Sequence, residues 1–160
     1  MFAQRTGEVA GELRIVRDPP LIVPLEDLVL SAEAREQTER SVRRLVRSYR
    51  RTLAHQQYHP IEESRYVHMA RKVVGVGSVG TRCWIFLMVG RDNSDPLFLQ
   101  AKEAQASVLE RFAGQSAYSH HGERVVAGQR LMQAASDIFL GWQRVTDTDG
   151  QTRLLHPPVP

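Results

Sequence analysis

Three features of this sequence have the residue types and the order needed to hold a phosphate group. A glycine-rich run, Gly-Val-Gly-Ser-Val-Gly, occupies residues 75–80, and Lys102 and Glu123 follow it. Glycines let backbone N–H groups approach phosphate oxygens where side chains would clash, and a lysine adds positive charge. A glutamate can keep that lysine charged and fixed in place. The candidate phosphate-binding residues are therefore Gly75, Gly77, Ser78, Gly80, Lys102 and Glu123.

The glycine spacing fits two kinds of nucleotide site, and the neighbouring segments decide between them. A dinucleotide fold requires a helix directly after the glycines, but residues 83–89 read Cys-Trp-Ile-Phe-Leu-Met-Val, which predicts a strand. A kinase-type glycine loop instead lies between two antiparallel strands and needs a lysine on the next strand. Residues 97–102 supply that strand, and alternation along it places Phe98, Gln100 and Lys102 on one face.

An ordinary structural reading of the same residues stays open. The glycines could shape a tight hairpin, Lys102 could protect an edge strand from aggregation, and Glu123 could favour a helix N-terminus. Under that reading the three features would not form a binding site.

The elements that precede the glycine run are predicted to be an arm and a helix. Residues 1–30 contain three prolines among apolar residues, which disfavours helix and predicts an extended N-terminal arm. Ser31 suits a helix N-cap and Glu33 suits the first turn. Apolar residues follow at helical spacing: Val42, Leu45, Val46, Tyr49 and Leu53. We therefore predict a long amphipathic helix that packs by this stripe.

Around and after the glycine run the sequence predicts a small sheet. Residues 61–70 fit either a short helix or the start of a strand, and periodicity does not separate the two. Val73 and Val74 are predicted to lie in a strand before the glycine run, and turn-forming residues at 90–96 divide the strands at 83–89 and 97–102. Three consecutive antiparallel strands are therefore the simplest arrangement. Residues 104–112 fit a short helix.

The C-terminal part is predicted to be a helix, a strand and an irregular tail. Residues 123–135 form the helix, and Gly128 within it suggests close approach to another backbone. Its predicted buried positions are Val125, Leu131, Met132 and Ala135. Residues 137–142 are predicted as a strand. The segment from Leu154 is predicted not to pair as a central strand, because prolines follow it.

Composition bounds the class of protein. A length of 160 residues suits one domain, and the sequence has neither a membrane-spanning apolar run nor a secretory signal, which predicts a cytoplasmic protein. The net charge of +3 favours an anionic partner. Seven arginines lie between 35 and 51, but no nucleic-acid motif accompanies them, so a solvated face is favoured over nucleic-acid binding.

Two other residue types are given no chemistry. Cys83 stands alone inside an apolar run, where a thiol behaves as a small hydrophobe. His55 with His59, and His120 with His121, have no accompanying cysteine or carboxylate cluster, so no metal site is predicted.

Three long stretches of the chain carry a family likeness. The first is Ala70-Arg-Lys-Val-Val-Gly-Val-Gly-Ser-Val-Gly-Thr-Arg82, the second is Asp95-Pro-Leu-Phe-Leu-Gln-Ala-Lys-Glu-Ala104, and the third runs from His121 to Trp142. They resemble one bacterial family, the domain-of-unknown-function family numbered 2252. The likeness covers roughly residues 12–143.

The resemblance implies a relation to protein kinases and aminoglycoside phosphotransferases. Family members are longer, and they place a Gly-Asp-x-His-x-x-Asn motif and a metal-binding aspartate pair before the region that matches here. This sequence contains neither, so the resemblance implies ATP binding with magnesium ligands supplied from elsewhere, and no catalytic residue in this chain. Arg82 and Gln100 depart from the kinase pattern at positions that could alter adenine binding.

Together these observations predict an α+β fold that resembles a kinase-like N-lobe. The expected divisions are an arm at 1–30, one domain at 31–145 and an irregular tail at 146–160. We expect a piece, truncated form or natural short form of a kinase-like phosphotransferase, inactive alone and completed by a missing C-lobe or partner chain. The rival hypothesis is a non-catalytic module that docks a partner chain or an anionic surface.

Overall fold

The computed structural model describes residues 6–29, 31–51, 53, 61, 63–73, 81–134, 137, 139–146 and 152–156. Within these residues the chain has an α+β fold with two antiparallel sheets, which confirms the predicted class. The strands are β1 (Thr6–Val9), β2 (Glu12–Ile15), β3 (Ile22–Pro24), β4 (Arg65–Lys72), β5 (Cys83–Val89), β6 (Pro96–Ala104), β7 (Gln143–Thr146) and β8 (Thr152–His156). The helices are α1 (Leu25–Leu28), α2 (Ala32–Arg50), α3 (Glu110–Ala113) and α4 (His121–Met132). Strands β1 and β2 form a hairpin, and the other six form one sheet in the order β3-β4-β5-β6-β8-β7.

The N-terminal segment is folded rather than extended as an arm. Ala10 and Gly11 both have positive φ, so they form the tight two-residue turn that suits the twist of β1 and β2. Strand β3 lies at the edge of the main sheet, where Pro24 is tolerated, and α1 starts directly after it. The prolines disfavour helix at their own positions but not at the residues that follow Pro24. The sequence pattern did not distinguish these two sets of positions.

Helix α2 starts where the sequence predicted. The Ser31 hydroxyl accepts a hydrogen bond from the Ala34 N–H at 3.1 Å, as an N-cap residue does. Val42, Val46 and Tyr49 are buried along one side of this 19-residue helix. They contact sheet residues in one apolar cluster, so α2 covers one face of the sheet.

The sheet has two faces with different coverings. Phe86 of β5 is paired with Leu99 of β6, and both belong to the cluster with α2; we call this side the helix face. The neighbouring residues Ile85 and Leu87 point the other way and pack with Ile15 of β2; we call that side the hairpin face. Strand β4 pairs with β5, so residues 65–70 of the segment with the open assignment form a strand, whereas Ile61 is helical.

Helix α4 buries a different side from the one predicted. It spans His121–Met132, and Gly122 and Val126 are its buried residues, whereas Leu131 is 84% exposed and Met132 is 82% exposed. At about 100° per residue, these two side chains lie roughly 120–140° around the helix from Val126. The spread of apolar residues around the helix misled the prediction. The expected close approach at Gly128 is also wrong, because an added Cβ there would meet no atom within 4 Å.

The C-terminal strands differ from the prediction. Of residues 137–142, those that the structure describes lie outside any strand, and the strand begins at Gln143. The segment predicted as an irregular tail contains β8, which pairs with both β6 and β7 and so lies inside the sheet. The prolines do not interrupt it because they follow its last residue, His156.

Candidate functional site

The candidate phosphate-binding residues fall at one end of the six-stranded sheet. The glycine run, with Gly75, Gly77, Ser78 and Gly80, lies outside the described residues. The segment that contains it connects the last residue of β4, Lys72, to the start of β5. Lys102 is paired across the sheet with Cys83, the first residue of β5. The register therefore places Lys102 at the sheet end to which the glycine-rich segment is attached.

Lys102 lies on the hairpin face, as the alternation along the strand predicted. In an antiparallel pair, residues directly opposite each other point to the same side, and Phe98 on the same strand packs in the hairpin-face cluster. Lys72 also lies on this face, because it is paired with Ile22 of that cluster. These are the only two lysines in the sequence. Sequence reasoning used Lys102 alone and missed Lys72, whose position before the glycines was the available signal.

The two lysines flank a buried thiol. Burial raises the pKa of Cys83, while a hydrogen bond from Gln100 and the charges of Lys102 and Lys72 act against the rise. The Gln100 amide donates to Cys83 Sγ at 2.8 Å. Gln100 is therefore held against β5 by this bond, and Cys83 stays a protonated, buried side chain.

Glu123 is not paired with Lys102. It stands in the first turn of α4, which packs against β6, but among the described residues no ion pair joins Glu123 to Lys102. The start of α4 is instead fixed by Arg124, which donates to the Gln105 carbonyl at 2.7 Å and lies 3.8 Å from a Glu110 carboxylate oxygen. The structure thus places Lys102 opposite the first residue of β5, without the predicted glutamate partner among the described residues.

A second polar site lies between the hairpin, α1, α2 and β4, and no sequence motif indicated it. Its cavity has a volume of about 260 Å³. The lining residues are Arg14, Leu25, Glu26, Arg35, Glu39, Tyr66 and His68. They come from four separate elements, and only the tertiary fold brings them together.

His68 is the buried polar residue at the base of this cavity. Its Nδ1 accepts a hydrogen bond from the Ile15 N–H at 3.1 Å, so Nε2 carries the proton and donates to Glu26 at 2.9 Å. Burial raises the pKa of Glu26, but hydrogen bonds from its own backbone and from His68, with the charge of Arg14, outweigh it and leave the pKa lowered. The carboxylate is therefore held in its charged form.

The described residues limit other kinds of site. No group of three or more His, Cys, Asp or Glu side chains in the described part of the chain is arranged to hold a metal ion. Among the helices of that part, none has the length and apolar composition needed to cross a membrane.

The fold and these two sites define an α+β protein with one polar site at an end of its main sheet and another between the hairpin, α1, α2 and β4. A family model described as "Uncharacterized protein conserved in bacteria (DUF2252)" matches residues 1–157. The chain therefore belongs to the DUF2252 family of uncharacterised bacterial proteins. Neither the curated proteins nor the solved structures contain a match to it.

Proposed function

We propose that this chain binds the phosphate groups of a nucleotide, ATP, where the glycine-rich segment joins β4 to β5. The observation that supports the proposal is the alignment of Lys72 and Lys102 on the hairpin face, on either side of Cys83 at the start of β5. Two ammonium groups at one sheet end favour a ligand with several negative charges. A nucleotide triphosphate meets that requirement.

The topology agrees with a kinase-like arrangement of the phosphate-binding part. In such enzymes the glycine-rich loop joins two antiparallel strands and the lysine lies on the next strand. Here β4, β5 and β6 are consecutive and antiparallel, and Lys102 lies on β6. We therefore propose that the chain supplies the phosphate-gripping lysine of a kinase-like phosphotransferase.

The proposal is that this chain binds ATP, and it assigns no catalytic step to its residues. Bound ATP would supply the transferable phosphoryl group, and magnesium would neutralise its charge. The sequence contains no Gly-Asp-x-His-x-x-Asn motif that could supply a base and a metal ligand. Those groups would have to come from a partner chain or another segment.

A titration of ATP with magnesium against three forms of the protein tests the binding proposal. We expect Lys102→Ala to raise the dissociation constant about tenfold, because a charged hydrogen-bond partner is lost. Arg71→Ala is the matched control, because it removes a positive charge from the same end of β4. Arg71 directly precedes Lys72, which lies on the hairpin face, so Arg71 points to the opposite face of the sheet. Absence of binding, or equal effects of the two substitutions, would refute the proposal.

A binding or assembly module is the second candidate function, and a different surface supports it. Apolar side chains are exposed on and before α3 and at the end of α4: Val108, Leu109, Phe112, Leu131 and Met132. Exposed apolar groups of this kind mark surfaces that contact other molecules. Sedimentation of the wild type and of the double variant Leu131→Ser, Met132→Ser tests this candidate function. If the two substitutions leave the association of the protein unchanged, the end of α4 is not part of the contact surface.

A further inference from the structure

The cavity between the hairpin, α1, α2 and β4 is lined by two arginines and two glutamates, and one of the arginines, Arg35, has no ion pair among the described residues. Arg14 lies 3.9 Å from a Glu26 carboxylate oxygen and 3.3 Å from one of Glu12. Glu39 lies 3.9 Å from Arg43, which is outside the cavity lining. Both carboxylates that line the cavity therefore have cationic neighbours other than Arg35.

Arg35 is the remaining cation of the lining. Among the described residues its guanidinium group has no ion pair, and its Nε is buried without a hydrogen-bond partner. The Arg14 Nε is in the same condition. Buried donors are nearly always paired, and leaving one unpaired costs about 1–3 kcal/mol, so each such group requires an explanation. Arg35 therefore lines the cavity with a guanidinium group for which the described residues supply no anionic partner.

The rest of the lining favours a small acceptor with a single negative charge. Burial, and then the charge of Glu39, raise the pKa of Tyr66, so its hydroxyl stays protonated and can donate. Glu26 and Glu39 would repel a dianion such as phosphate more strongly than a monoanion. A carboxylate has one charge and two oxygens in the planar arrangement that a guanidinium group binds in bidentate fashion.

We propose that this cavity is a binding site for a small monocarboxylate ligand, held by Arg35 with Arg14 and the Tyr66 hydroxyl as neighbouring donors. The cavity of about 260 Å³ suits a small organic acid. The site is separate from the phosphate site proposed above, because it is formed by β2, α1, α2 and β4 and includes neither lysine.

Nuclear magnetic resonance of the arginine side chains tests this proposal directly. Propionate is the probe, and the Nε–H signals of the ¹⁵N-labelled full chain are followed during the titration. We expect the Arg35 and Arg14 signals to shift with one saturation curve. Arg35→Gln should raise the dissociation constant for propionate about tenfold. The dissociation constant of Arg35→Lys should lie between those of the wild type and Arg35→Gln, since lysine retains the charge without the planar pair of donors.

Arg40→Gln is the matched control for Arg35→Gln. Arg40 is exposed on the same helix, pairs with Glu36 at 3.7 Å and does not line the cavity. We expect it to change propionate affinity less than twofold, roughly the effect of an exposed charge. If Arg35→Gln unfolds the chain, Arg35→Lys supplies the comparison in its place.

Three results would overturn the monocarboxylate site. In the first, the Arg35 Nε–H signal does not shift at any propionate concentration. In the second, Arg35→Gln and Arg40→Gln lower the propionate affinity equally. In the third, inorganic phosphate shifts the Arg35 signal at a lower concentration than propionate does. The titration is repeated with Lys102→Ala, which we expect to leave propionate binding unchanged. Failure of the nucleotide proposal is therefore distinguishable from failure of this one.

Discussion

The two faces of the six-stranded sheet differ in what covers them and in what they can do. The helix face packs against α2 through a large cluster of apolar side chains, including Phe86, Met88 and Leu99. The hairpin face has a smaller apolar cluster, and it also contains the buried His68 and, at the sheet end, the two lysines. One side therefore supplies most of the apolar burial, and the other combines modest burial with groups that can bind ligands.

The largest expected effect is on the helix face. Phe86 is 5% exposed within the cluster that contacts α2, so Phe86→Ala removes a buried ring and leaves a cavity. We expect the free energy of unfolding to fall by about 3–5 kcal/mol, measured by urea denaturation. A loss below about 1 kcal/mol would contradict the comparison of the two faces, since substitutions at the surface change the free energy of unfolding by no more than that.

A smaller effect is expected at the contact that attaches the hairpin. His68→Phe removes the acceptor of the Ile15 N–H and leaves that N–H unpaired, and it leaves Glu26 with Arg14 and its own backbone as partners. The expected loss is about 1–3 kcal/mol. Hydrogen exchange shows where in the fold this stability is lost. The Ile15 amide should exchange faster, whereas the amide of Phe86, in the helix-face cluster, should be accelerated only as far as the lower free energy of global unfolding accounts for. Equal acceleration at both amides would show that the hairpin and α2 unfold together.

The ionisation of Glu26 should make the hairpin face sensitive to acid. Its pKa is lowered in the folded chain, so the folded state favours the charged form. This contribution is present above the usual glutamate pKa of about 4.3 and is lost as the pH falls through the lower folded value. Because the side chain is 36% exposed, we expect at most about 1 kcal/mol.

Acid titration of the wild type and of Glu26→Gln measures this contribution. The difference in unfolding free energy between them should shrink as the pH falls from 6 towards 3. A constant difference across this range would show that the charge of Glu26 does not contribute.

The smallest effect is expected in α4, which serves as a reference outside both apolar clusters. An added Cβ at Gly128 meets no atom within 4 Å, so Gly128→Ala should stabilise the chain by up to about 1 kcal/mol. Gly90→Ala is the contrasting variant, because its Cβ would collide with the Asp95 carboxylate. Thermal unfolding of the two variants should show shifts of opposite sign. Destabilisation by Gly128→Ala would mean that another group approaches this position.

Sequence periodicity was informative where one residue type dominated an element. The apolar run 83–89 predicted β5, and Ser31 with the stripe through Val42 and Val46 predicted the start and packing side of α2. The same reasoning failed in α4, where apolar residues lie on more than one side and only contact with the sheet selects Val126 for burial. It also failed for β8, because pairing with β6 and β7 depends on distant residues.

By itself, the sequence determined the α+β class, the strands β5 and β6 and the family to which the chain belongs, since these follow from local spacing and from long matching stretches. It also placed Lys102 on the face that the register confirms. Only the tertiary structure decided that Lys72 shares that face, that Glu123 forms no ion pair with Lys102 in the described residues, and that Arg14 and Arg35 meet at one cavity. The physical reason is distance along the chain: local propensity fixes which way a strand residue points, but contacts between separate elements are set by packing.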